Sequence, residues 1–143
     1  MEAVPQEVIT KEVSEFERAA SGSARRKEAT LTERFTKYLK SHGRTVQRYK
    51  ITTPAGILYT DTADTTAGVI YEAKGDTGRM SVRLALGQVL DYGRYVKGSD
   101  LAVLLPGMPA ADLIELLESY QVGCVVEGDD GHFFDVTDLG RCP

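Results

Sequence analysis

The 143 residues suffice for one domain of ordinary size, and 42% hydrophobic with 27% charged residues allow a buried core under a polar surface. No apolar run approaches the ~20 residues that cross a bilayer, and the acidic, periodic start "MEAVPQEVITKEVSEF" does not read as a signal peptide. The net charge of -4 argues mildly against a nucleic-acid partner, although a chain that gathers carboxylates in one cleft is acidic in total for that reason alone. Two cysteines, Cys124 in an apolar run and Cys142 beside the C-terminus, make no disulfide framework, so a reducing, cytoplasmic setting is expected.

In chain order, Ile9, Val13, Phe16 and Ala20 recur at helical spacing and predict an amphipathic helix over Val4–Ala20. Ser21-Gly22-Ser23 is expected to break it, which sets residues 1–23 apart from a domain over 24–143. The detached helix could dock on the sheet, make a dimer contact or join another domain. A second helix is expected from Ala24 to Ser41, with Leu31, Phe35, Tyr38 and Leu39 inward and Gly43 just past its end. "RTVQRYKIT" reads as a strand, Thr53 to Gly56 as a turn, "ILYTDT" as a second strand and "GVIYEAK" as a third. The short links predict an antiparallel meander.

Gly75 to Gly78 is a polar loop before a helix over Ser81–Val96. Leu101 to Leu105 is a continuous apolar run, as in a strand covered on both faces. A helix over Pro109–Tyr120 and a hairpin of "VGCVVE" and "HFFDV" complete the chain. The order α-α-β-β-β-α-β-α-β-β is an α/β architecture with a mixed sheet.

Alternation along "GVIYEAK" puts Ile70, Glu72 and Lys74 on one face and Val69, Tyr71 and Ala73 on the other. In "ILYTDT", Ile57, Tyr59 and Asp61 share a face. If the strands pair, Asp61 approaches Glu72 and Lys74, and two carboxylates meet an ammonium at one end of the sheet. Charges on a buried strand are expensive unless paired or used. Hard oxygen ligands of this kind suit Mg²⁺, with Mn²⁺ as substitute. Bound there, such an ion polarises a phosphoryl oxygen and lowers the pKa of a water. Asp64, seven residues before Glu72, is an alternative ligand to Asp61.

The pattern Asp61, ten residues, then Glu72-Ala73-Lys74 resembles the PD-(D/E)XK nuclease superfamily, whose restriction-endonuclease-like core runs α-β-β-β-α-β. Gln88 and Tyr92, at i and i+4 on the following helix, are similar to the Gln-x-x-x-Tyr element of its RecB-like branch. Thr60 stands where the motif has proline.

The resemblance implies a metal-dependent deoxyribonuclease, an endonuclease of restriction or defence, acting on DNA as a homodimer or with a separate targeting domain. Asp61 and Glu72 would bind metal and Lys74 would position the attacking water. Glu28, on the inward stripe of its helix, would support the metal or its waters, and Gln88 and Tyr92 would brace the site. The alternative is a catalytically silent nucleic-acid-binding or assembly module of the same fold. Arg79, Arg83 and Arg94 are candidate phosphate contacts, against a solvated helix face paired with Asp76 and Asp91. Arg25-Arg26-Lys27, placed at a helix start where cations are unfavourable, hints at an external anion. His42 and His132 lack metal-ligand spacing.

Overall fold

The computed structural model describes residues 11–143, with side chains from residue 22 onward. The fold is α/β with a mixed central sheet and, among the described residues, three helices. None of them is long and apolar enough to cross a membrane.

Helix α1 spans Lys11–Ser41 without interruption, so the break at Ser21–Ser23 does not occur. A glycine inside a helix costs about 1 kcal/mol against alanine, and serine less. Strong helix formers on both sides, from Ala19-Ala20 to Ala24-Arg25-Arg26-Lys27-Glu28, outweigh that local cost. The proposed boundary at residue 23 therefore falls inside one helix, and residues 4–10 of the expected first helix lie outside the described residues. Arg25-Arg26-Lys27 then sits well inside α1 rather than at a helix start, which removes the dipole argument for an anion there.

The expected meander is divided. The first strand splits into β1 (Val46–Gln47) and β2 (Lys50–Thr53), and the second into β3 (Gly56–Tyr59) and β4 (Thr62–Asp64). β1 pairs antiparallel with β4, and β4 with β5 (Val69–Ala73), while β2 and β3 form a separate two-stranded arm. The two bends are laced together. Thr60 N–H donates to the Tyr49 carbonyl (3.1 Å), Tyr49 N–H to Thr60 Oγ1 (2.9 Å), and Arg48 Nε to the Thr60 carbonyl (2.9 Å).

After β5 the chain forms α2 (Arg79–Tyr95), β6 (Asp100–Leu105), α3 (Ala111–Ser119), β7 (Val122–Glu127) and β8 (Phe133–Asp135). The main sheet has the order β1-β4-β5-β6-β7-β8, with β5, β6 and β7 parallel and the outer pairs antiparallel. One face packs on α1 through Val69, Tyr71, Ala73 and Leu104 against Leu31, Phe35 and Leu39. The other packs on α2 and α3 through Ile70, Val103 and Cys124 against Val82, Val89 and Leu117. Period-2 strands between amphipathic helices bury both faces, which explains the near-continuous apolar runs of β6 and β7.

Candidate functional site

Register decides which polar side chains can meet. Ala63 lies opposite Ile70 and Asp64 opposite Val69, and directly paired residues share a face. Ala63 and Ile70 belong to the α2 side, so Asp61 and Glu72 fall there too, at the carboxyl end of β5. Asp64 falls on the α1 side. It is fully buried, accepts from Arg44 Nη1 at 2.7 Å, and caps the Thr66 and Ala67 N–H groups at 3.0 Å each. That carboxylate forms an ion pair and caps a turn on the face of the sheet opposite to Glu72, away from the cleft.

A cleft of about 460 Å³ at this end of the sheet is lined by Glu28, Asp61, Glu72, Lys74, Gln88 and Tyr92. These are the six polar residues singled out in the sequence, carried by α1, the β3–β4 bend, β5 and α2. Glu72 and Lys74 are both buried, with Lys74 Nζ 3.5 Å from Glu72 Oε1. Lys74 N–H donates to the Leu104 carbonyl (3.0 Å), which extends the β5–β6 ladder and aims the side chain. Asp61 Oδ2 accepts the Ala73 N–H at 2.9 Å, which fixes one carboxylate oxygen and leaves the other for the cleft. Gly75 lets α1 close the cleft from behind, because a Cβ there would meet Lys27 Cβ at 2.7 Å and the Ala24 carbonyl at 2.8 Å.

Burial first, and the Asp61 charge next, push the Glu72 carboxyl up to about 8, against the downward pull of Lys74 and the Tyr92 hydroxyl. Burial also raises Glu28, against the attraction of Lys74. The Tyr92 hydroxyl is raised by burial and then by the Glu72 and Asp61 charges. Negative charge is thus crowded here beyond what Lys74 offsets, and a cation would relieve it.

Two oxygens of the cleft-lining residues lack partners among the described residues. Glu72 Oε2 and Gln88 Oε1 are buried with no hydrogen-bond partner among the described residues, an arrangement that costs about 1–3 kcal/mol per group unless something binds there. Among the described residues no group of three or more His, Cys, Asp or Glu side chains gathers closely enough to hold a metal alone. A pair of carboxylates with a free amide oxygen fits Mg²⁺, which keeps several waters and takes one or two carboxylates from the protein. It does not fit a closed zinc site.

The arginines of α2 lie elsewhere. Arg79 forms an ion pair with Asp112 of α3, Arg83 has no ion pair among the described residues, and neither lines the cleft. Arg94 pairs with Asp91 at 3.2 Å, while Asp76 accepts from Gly78 N–H (2.8 Å) and Ser81 Oγ (2.9 Å) instead of from an arginine. Besides Lys74, Arg25 lines the cleft, and Arg48 lies beside it. The two arginines line an adjoining depression of about 360 Å³ that shares Arg25, Glu28 and Asp61 with the main cleft. Arg48 was missed because nothing in "RTVQRYKIT" marks the bend that turns it inward. Tyr59 also lines the cleft, and its parity with Asp61 was the available signal.

The sequence matches no protein-family model, no curated protein and no solved structure.

Proposed function

We propose that the protein is a Mg²⁺-dependent nuclease of the PD-(D/E)XK type that hydrolyses phosphodiester bonds in DNA. The observation that carries this reading is one cleft lined by Glu28, Asp61, Glu72, Lys74, Gln88 and Tyr92, in which Glu72 Oε2 and Gln88 Oε1 have no partner among the described residues. On this reading the central sheet with α1 and α2 is a restriction-endonuclease-like core. A role in restriction or defence, and a second copy or a targeting domain as partner, belong to the same proposal.

Hydrolysis brings a water oxygen to phosphorus, breaks one ester P–O bond and leaves negative charge on the phosphoryl and departing oxygens. Bound between Asp61 and Glu72, Mg²⁺ would supply Lewis acidity toward a phosphoryl oxygen and acidify a water. The chain's own groups do the rest. Asp61, anchored by Ala73 N–H, and Glu72, anchored by Lys74, hold their free oxygens toward the cleft. Lys74 has donors left after Glu72 to orient the attacking water and neutralise developing charge. Glu28, kept more basic by burial, accepts from waters at the cleft mouth. Tyr92 braces Glu72 from α2.

Supercoiled plasmid incubated with Mg²⁺, Mn²⁺ or EDTA tests this, with Glu72→Ala and Lys74→Ala alongside. Metal-dependent nicking should vanish in both variants, while Lys74→Ala keeps its circular dichroism and its Mn²⁺ binding. A wild type that binds plasmid and never nicks it would favour the silent binding module. Normal cutting by Lys74→Ala would remove the role given to the lysine.

A further inference from the structure

Large apolar side chains stand exposed around this acidic cleft where they add nothing to the core. Tyr59, on the outward face of the β2–β3 arm, is 51% exposed, and Leu84 on α2 is 59% exposed. Both line the same cleft as Asp61, Glu72 and Lys74. Ile57 and Met80 continue the two exposed rows, one on the arm and one on α2. The arm's other face is used: Ile51 is buried in the core with Leu58 packed against it, so the arm is held at its root.

Arg48 ties this wall to the adjoining depression. Its Nε donates to the Thr60 carbonyl and its guanidinium lies over one face of the Tyr59 ring, 5.5 Å from the centroid. The Tyr59 ring stays half exposed, and the remaining Arg48 donors have no partner among the described residues. Arg25, exposed on α1, makes no ion pair or hydrogen bond among the described residues and lines the same depression. A chain of net charge -4 thus places two guanidinium groups without a carboxylate partner among the described residues beside this cleft.

Resting on the nuclease reading above, we propose that Tyr59 and Leu84 form a slot for an unpaired nucleobase, and that Arg25 and Arg48 bind the phosphate next to the one cleaved. The substrate is then single-stranded or locally unpaired DNA. A paired base is stacked on both sides and cannot present its face to Tyr59, whereas a base without a partner can stack there, whatever its identity. A neighbouring phosphate on two arginines sets the register without reading sequence.

The test is fluorescence anisotropy with a labelled single strand of about 15 nucleotides and its blunt duplex, with Ca²⁺ standing in for Mg²⁺, beside plasmid nicking in Mg²⁺. Wild type should bind the single strand at least tenfold more tightly. Tyr59→Ala should weaken single-strand binding about tenfold and leave duplex binding unchanged. Arg25→Gln should lower the slope of log affinity against log salt by about 0.7, the share of one phosphate on a single strand. These side chains are exposed, so both variants should melt like wild type. Equal affinity for duplex, or a Tyr59→Ala protein that binds as wild type does, overturns the slot. Metal-dependent nicking with no single-strand preference overturns the slot alone. Neither binding nor nicking by wild type overturns the nuclease reading with it.

Discussion

Glu72→Gln should make the metal-free protein more stable at alkaline pH and leave it unchanged in acid. The folded protein holds the Glu72 proton to about pH 8, against 4.5 for an ordinary glutamate. Below about 4.5 the group is protonated in both folded and unfolded chains and contributes no slope. Between the two values the folded chain binds more protons than the unfolded one, so stability falls as pH rises. Above about 8 the loss is complete. The interval converts at 1.36 kcal/mol per unit to about 5 kcal/mol as an upper bound. Relaxation and water entry at the open cleft bring the expected loss to about 2–4 kcal/mol.

Urea unfolding in EDTA from about pH 4.5 to 8.5 measures this, with midpoints and slopes compared between the two proteins. Only the difference in pH slope matters, so any fixed effect of the amide cancels. Mg²⁺ at pH 8 should then restore wild type by binding the folded state and should do little for Glu72→Gln. Parallel pH profiles in EDTA would refute the reasoning, since they would mean that Glu72 is no more strained folded than unfolded.

Three further outcomes follow from packing. Gly22→Ala should raise stability by up to about 1 kcal/mol by urea unfolding, because α1 is continuous there and a Cβ meets nothing within 4 Å; no gain would restore the break. Gly75→Ala should cost about 1–3 kcal/mol and depress nicking, because its Cβ collides with α1 at Lys27 and Ala24; a neutral result would mean that α1 does not close the cleft. Arg44→Ala should cost about 3–5 kcal/mol by thermal melting, since it strands the fully buried Asp64; a loss under 1 kcal/mol would place Asp64 in water.

The site was more legible than the strands that carry it, and one physical fact accounts for both. Side-chain alternation has period 2 within a strand, and Tyr59 and Asp61 line the same cleft although β3 ends between them. Glu72 and Lys74 lie on an unbroken run, and their face follows from counting. The split of each strand has no local signal, because it is made by hydrogen bonds between Tyr49 and Thr60, eleven residues apart. Asp64 was ambiguous for the same reason: only the register with Val69 tells its face from that of Asp61.

The bend also explains why Asp61 can serve a site at all. Inside a regular strand its backbone would be spent on the ladder and its side chain would stand beside Glu72 at full length. At the bend, Oδ2 turns back to hold Ala73 N–H across the gap. The same bend places Tyr59 on the cleft, and the bend between β1 and β2, bonded to it, places Arg48 on the adjoining depression. Buried Thr60, which accepts from both Tyr49 and Arg48, is therefore the hinge on which carboxylate, guanidinium and ring are placed together. Proline in its place would lack the N–H that donates to the Tyr49 carbonyl and the hydroxyl that accepts from Tyr49. Thr60 is thus built into this bend by its N–H, its hydroxyl and its carbonyl together.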